Sequence, residues 1–295
     1  MGDEMSSRYD RDICSDSPKL EVAAIQRMKV SEGEVGELLI SEQVCSSDKL
    51  IVRGRQDAAL VSKTAFGQSL LVPGHDRRSR VLDTSFDPWR KICALEITSK
   101  DGDSCIGTGW IAGPRLIITA GHCVFNDAYN GWMKSIDIIP GRDGESEPFG
   151  RYRSESFCSM ERWTAAGDEN YDIGAIILSE DLDSRLGWFS FGSYPESHLT
   201  AQMVNISGYP ICVVGEEQMH HSNRICAVTD HKLYYDVDTE GGQSGSPIWL
   251  YPNGSNTPVV VGVHSNGAGR SLNANSGVRI TSLLADKIAE WRSRQ

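Results

Sequence analysis

From about residue 69 onward the chain breaks into short apolar runs separated by glycine, proline, asparagine and aspartate. The runs fall at 91–98, 105–112, 115–120, 135–140, 171–178, 202–209, 232–238, 247–251, 258–265 and 276–281. Their length and their β-branched and aromatic content predict strands, and the turn residues between them predict that successive strands double back. No βαβ alternation interrupts the series, so the pattern predicts an all-β domain, a barrel or a sandwich. One segment keeps a helical period instead. Leu284, Ile288 and Trp291 recur at i, i+4 and i+7 behind Thr281 and Ser282, either of which can cap a first turn. That helix is expected to close the chain with one apolar stripe against the strands.

Residues 1–68 read differently, with few aromatics, scattered charge and short apolar groups such as Leu38–Ile40 and Leu50–Val52. They are expected to form an N-terminal extension to a domain spanning 69–295. A chain of 295 residues with 39% hydrophobic content can bury a large core without help from metals or partners. Its formal charge of -11 comes without a Lys/Arg cluster, which argues against a nucleic-acid partner. No apolar run approaches a membrane span, and the first thirty residues contain no apolar core of a secretory signal. The eight cysteines include no CxxC, and His220, His221, Cys226 and His231 match no zinc spacing, so no metal is expected.

Three residues carry candidate chemistry. His122 follows the apolar run Leu116–Ala120, Asp172 stands at the mouth of another, and Ser244 lies between glycines in Gly242-Gln243-Ser244-Gly245-Ser246-Pro247. Taken singly, each reads as an ordinary turn or strand-end residue. Together they supply what acyl transfer needs: a hydroxyl nucleophile, an imidazole to take its proton, and a carboxylate to fix the imidazole tautomer.

Thr119-Ala120-Gly121-His122-Cys123, Asp172-Ile173-Gly174 and the hexapeptide around Ser244 resemble, in that order, the three signatures of chymotrypsin-fold serine peptidases. The resemblance covers roughly residues 85–295. It implies two six-stranded antiparallel β-barrels with a C-terminal helix and a catalytic cleft between the barrels. It further implies His122, Asp172 and Ser244 as catalytic residues and the Gly242 and Ser244 amides as the oxyanion hole. No cofactor and no metal enter such chemistry, and the partner is a protein or peptide substrate.

Within that family the chain looks like the glutamyl endopeptidases. Val261-Gly262-Val263-His264-Ser265-Asn266-Gly267 is similar to their specificity strand, which implies that His264, with Thr239, binds a glutamate carboxylate at P1. A buried carboxylate needs such donors to replace its hydration. His264 is accordingly expected to meet it as an imidazolium, its pKa raised by the bound anion, with the Thr239 hydroxyl beside it, and a pocket for small or neutral residues remains the alternative. Gln243 stands where trypsin-type enzymes carry an aspartate that pairs with a freed N-terminus, so that activation switch is absent.

Ser69–Gly74 looks like the stretch around mature N-termini in the branch, which makes residues 1–68 a propeptide or regulatory segment. The resemblance also implies a Cys105–Cys123 disulfide pinning the histidine loop; Cys212 and Cys226, fourteen apart in an expected loop before Ser244, are a second candidate pair by their spacing. The resemblance points to export, while the N-terminal sequence displays no signal peptide and fits the cytoplasm if Met1 is the natural start; the compartment stays open.

Overall fold

The computed structural model describes residues 12–15, 63–65, 76–213, 215–252, 255–266 and 274–294. Residues 18–61 lie outside this set, as does the stretch expected to hold a mature N-terminus. In chain order the first strands are β1 (Asp12–Cys14), β2 (Lys63–Ala65), β3 (Ser79–Arg80), β4 (Ile92–Thr98), β5 (Ser104–Gly113) and β6 (Leu116–Thr119). Then come β7 (Phe125–Asn126), β8 (Gly131–Trp132), β9 (Ser135–Pro140), β10 (Tyr152–Ser154), β11 (Ser156–Met160), β12 (Gly174–Ile177) and β13 (Ser190–Phe191). The last are β14 (Met203–Gly208), β15 (Met219–Val228), β16 (Lys232–Tyr235), β17 (Pro247–Leu250), β18 (Val259–Asn266) and β19 (Asn275–Arg279). Helices α1 (Gly121–Val124), α2 (Glu161–Ala166), α3 (Glu196–Leu199) and α4 (Ser282–Ser293) punctuate the series.

The second half closes on itself. Strands β18, β17, β14, β15, β16 and β19 pair in that order, and β19 pairs back to β18, which completes a six-stranded antiparallel barrel. The first sheet runs β1-β11-β12-β6-β5-β4-β9-β10, a path whose ends do not meet, and curls as a half-barrel. The all-β fold and the closing helix follow the expectation, and strand closure is complete in the second barrel.

Most strands are buried on both faces, which is why they read as unbroken apolar runs rather than alternating ones. Ile117 on β6 points into a core with Leu95, Ile136 and Ile176, while its neighbours Leu116 and Ile118 join a second core with Trp110, Trp249 and Tyr209. On β17, Ile248 and Leu250 fill the closed barrel and Trp249 faces the second core. Leu284, Ile288 and Trp291 of α4 are buried in that same core. Thr281 caps α4, its hydroxyl accepting from the Leu284 amide at 3.3 Å.

Three features escape the sequence pattern. The ten-residue β15 crosses a region expected to be loop, because its Met-His-His-Ser-Asn-Arg start carries no apolar signal. Strands β1 and β2, drawn from the expected extension, pair with β11 and β5 of the first sheet. Finally, Cys14 of β1 forms a disulfide with Cys158, its register partner on β11.

Candidate active site

Antiparallel pairing of β6 with β12 sets Thr119 opposite Gly174, so the end of β6 and the start of β12 share one sheet edge. His122 follows β6 by three residues on α1, and Asp172 precedes β12 by two, which brings them together at that edge. The Asp172 carboxylate is 1% exposed and accepts twice from one residue: the His122 backbone N–H donates to Oδ1 at 2.8 Å, and His122 Nδ1 donates to Oδ2 at 2.8 Å. This two-point contact fixes the Nδ1–H tautomer and the ring plane. Burial is the strongest single influence and opposes the imidazolium, but the Asp172 charge and hydrogen bond together with Cys123 more than offset it and hold His122 well above the ordinary histidine value.

The loop from Gly242 to Ser246 approaches from the second barrel. Gly242 and Gly245 hold φ of 96° and 92°, a left-handed geometry that side chains rarely adopt. A Cβ at Gly245 would also collide with Thr108 O and Thr119 Oγ1, so the turn packs directly on the strand ends that carry His122. Thr108 of β5 clamps both sides of the turn: its hydroxyl donates to Gly242 O at 2.9 Å and its amide to Ser244 O at 2.9 Å. The amides of Gln243, Gly245 and Ser246 are committed to Glu240 O, His264 O and Gln243 O. Ser244 itself is 4% exposed. A cleft of about 260 Å³ opens beside His122, lined also by Asp172, Trp163, Glu169, Ser265 and Asn266 among others.

His264, on β18 of the closed barrel, and Thr239, in the stretch between β16 and β17, are both buried. The His264 backbone is tied to the serine turn, donating to Ser246 O at 2.9 Å and accepting from Gly245 N at 2.7 Å. Its ring is enclosed as well. Burial pushes it down to about 3, helped by the nearby His122 and only partly offset by the Ser276 backbone and Asp172, so the unliganded ring is neutral.

A trypsin-family model matches residues 83–288. The chain belongs to the trypsin family. It is 37% identical over 225 residues to a glutamyl endopeptidase of Bacillus licheniformis, spanning 75% of this chain and 69% of that protein. It is 34% identical over 223 residues to a Bacillus subtilis protein named extracellular metalloprotease, again spanning 75% and 69%. A solved Glu endopeptidase in complex with MPD superposes with a TM-score of 0.66 at 26% identity, covering 76% of this chain and all of that one.

This trypsin-family chain is thus a serine endopeptidase acting on protein or peptide substrates, as its relatives are. Among the described residues, the group of His, Cys, Asp and Glu close enough to share an ion is Asp12, Cys14 and Cys158, whose sulfurs are spent in the disulfide.

Two expected cysteine pairs are corrected. Cys123 keeps its thiol, which reaches Ser244 O at 3.8 Å and packs where a side chain at Gly107 would stand, 3.1 Å from that Cβ position. Cys105, two residues before Gly107 on β5, is buried and keeps its thiol as well. Cys212 and Cys226 also keep their thiols, the first beside Arg78 and the second beside Arg224 O at the far end of β15.

Two further residues of this trypsin-family site carry no sequence signal. Trp163 on α2 lines the cleft with its ring centroid 6.3 Å from that of His122, and its Nε1 donates to Phe125 O. Tyr235 at the end of β16 donates to His264 Nδ1 at 2.6 Å.

Proposed function

We propose that this serine endopeptidase cleaves after glutamate or aspartate through a Ser244–His122–Asp172 triad. The observation that carries the reading is the double hydrogen bond from His122 to buried Asp172 at the strand edge on which the Ser244 turn is packed.

Ser244 Oγ attacks the scissile carbonyl carbon while His122 Nε2 takes its proton. The carbonyl electrons move to oxygen, and the Gly242 and Ser244 amides stabilise that oxyanion, a contribution typically of about 2.7–4 kcal/mol per donor. Collapse breaks the C–N bond as His122 returns the proton to the leaving amine. Water activated by His122 then hydrolyses the acyl-enzyme in the reverse sense. Asp172 holds the imidazole and balances its transient charge.

His264 and Thr239 bind the P1 side chain. Because the empty pocket keeps His264 neutral, a glutamate must either raise that pKa on binding or be met by neutral donors. A neutral imidazole equally suits glutamine, which gives a neutral-P1 pocket a physical basis as the second reading. The extension up to residue 68 precedes the peptidase domain as a propeptide or regulatory segment.

The test combines two measurements. A fluorophosphonate probe should label the wild type and not Ser244→Ala; equal labelling ends the triad assignment, and no labelling of either indicates a binding module. A peptide-library profile should then favour glutamate or aspartate at P1, and any other preference removes His264 and Thr239 from their assigned role.

A further inference from the structure

The residue before Ser244 cannot form the ion pair that holds this turn in trypsin-type enzymes, yet the turn is held. Gln243 is 1% exposed, and its Oε1 accepts two hydrogen bonds: from the Glu240 amide at 3.0 Å and from Arg78 Nη1 at 2.9 Å. The Arg78 side chain is itself 1% exposed. Its Nη2 donates to Glu240 Oε2 at 2.9 Å and to Asp76 Oδ2 at 2.8 Å, and its Nε donates to Asp76 Oδ1 at 2.9 Å. Burial works against the guanidinium charge, but the Asp76 and Glu240 carboxylates more than compensate, so Arg78 remains a cation.

The adjacent arginine grips the same stretch one step upstream. Arg77 Nη2 donates to Asp238 Oδ1 at 2.8 Å, Nε to Asp238 Oδ2 at 3.0 Å, and the Arg77 amide to the same Oδ2 at 2.9 Å. Asp238 is 1% exposed and directly precedes Thr239. Two consecutive arginines therefore seize two points of segment 236–243, with Thr239 between them and Ser244 just beyond. Strand β3 fixes the arginines in turn, since Ser79 and Arg80 pair with His220 and Met219 of β15.

We infer that Asp76, Arg77 and Arg78 form a clasp in which Arg78, acting through Gln243, is a positioning residue for the oxyanion-side amides. The inference rests on Ser244 being the nucleophile. Its physical basis is the geometry of the turn. Gly242 sits at φ 96°, a conformation that no side chain of its own can lock. The neighbouring Gln243 side chain supplies the lock, because Arg78 pins its Oε1 while the Gln243 amide closes onto Glu240 O at 3.0 Å. An oxyanion hole works only with donors within about 2.7–3.1 Å of the developing charge. A drift of about 1 Å costs on the order of a hundredfold. The polarity is the reverse of the trypsin-type arrangement: here an internal guanidinium engages a neutral amide, and no free α-amino group is needed at this point.

Deleting Arg78 outright would strand Glu240 and Gln243 in the interior and could unfold the loop, so the decisive variant is Gln243→Met. It keeps volume and leaves the Arg78 ion pairs with Asp76 and Glu240 in place. On a chromogenic peptide with glutamate at P1, kcat should fall by roughly a hundredfold while KM stays within about threefold, with thermal stability near wild type. Gln243→Glu, which retains an acceptor for Arg78, should recover most of kcat. A Gln243→Met enzyme with kcat within about twofold of wild type, or one whose loss follows unfolding alone, makes the clasp a structural staple and overturns the inference. Ser244→Ala run alongside separates the two ideas: full activity there defeats the nucleophile reading, whereas an inactive Ser244→Ala beside an unaffected Gln243→Met defeats only the clasp.

Discussion

The Tyr235 hydroxyl lies 2.6 Å from His264 Nδ1, and both side chains are buried. Burial raises Tyr235 well above the ordinary tyrosine value, so its O–H keeps the proton and donates it. Nδ1 is then the acceptor, and the neutral ring carries its own proton on Nε2. Tyr235→Phe removes this constraint while preserving the aromatic volume. Its kcat/KM on a glutamate P1 peptide should fall roughly three- to tenfold, the scale of one hydrogen bond, and selectivity over the glutamine peptide should narrow. Steady-state kinetics on the paired peptides reads this directly. An unchanged ratio would remove Tyr235 from the specificity site.

Asp172 raises His122 as well as orienting it. In the proposed mechanism His122 must be neutral to take the Ser244 proton, so activity should be lost as pH falls through that raised pKa. Asp172→Asn removes the charge that lifts it, and the acid limb of the kcat profile should move to lower pH. The same change frees the tautomer and should reduce kcat by about 10³–10⁴-fold. Rate profiles of both enzymes between mildly acidic and alkaline pH give the comparison; an unshifted limb would mean that Asp172 does not set the His122 titration.

Much of the peptidase region was legible because its strands are short, apolar and bounded by turn residues; β9 falls on the expected 135–140. The dyad was legible too, since His122 and Asp172 terminate apolar runs and antiparallel pairing brings run ends to one edge. Tertiary partners were not. Nothing in the sequence around Arg78 distinguishes a buried cation from a surface one, because Asp76, Glu240 and Gln243, which hold it, lie 2, 162 and 165 positions away in the chain. The Cys105–Cys123 expectation failed for a related reason. Spacing along the chain does not reveal that the Cys123 thiol faces Gly107 rather than Cys105. Likewise the neutral state of His264 follows from burial, which sequence does not display.

The Cys14–Cys158 bond spans 144 residues and anchors a strand from the segment expected to be removed. Noncovalent contacts assist it, since Asp12 accepts from Trp291 Nε1 at 2.7 Å and pairs with Arg294 at 2.9 Å. If the chain is cut anywhere between residues 16 and 75, the N-terminal piece should remain attached on a non-reducing gel and separate on reduction. Cys14→Ser should lose about 2–4 kcal/mol of stability, chiefly by relaxing the constraint on the unfolded chain. Free migration of the piece without reductant would mean that the bond does not form in the mature enzyme.

His220 gives the fold an acid-sensitive point. Its ring packs with centroids 4.9 Å from Trp89 and 6.0 Å from Trp249, and its Nε2 lies 3.2 Å from Asn205 Oδ1. Burial, with a smaller push from His221, lowers it to about 4 from about 6.5. The unfolded chain therefore binds a proton near pH 6.5 that the folded protein refuses until about pH 4, so stability falls as pH drops through that window. His264 acts in the same direction down to about pH 3. His122 has the opposite sign: its raised pKa adds stability below the unfolded value, and this is lost as pH rises through the folded one. His220→Gln keeps an amide donor for Asn205 and removes the titration. Urea unfolding at neutral pH and near pH 4.5 should show the wild type losing about 2 kcal/mol more than the variant on acidification. Equal losses in the two proteins would assign the acid sensitivity to other groups.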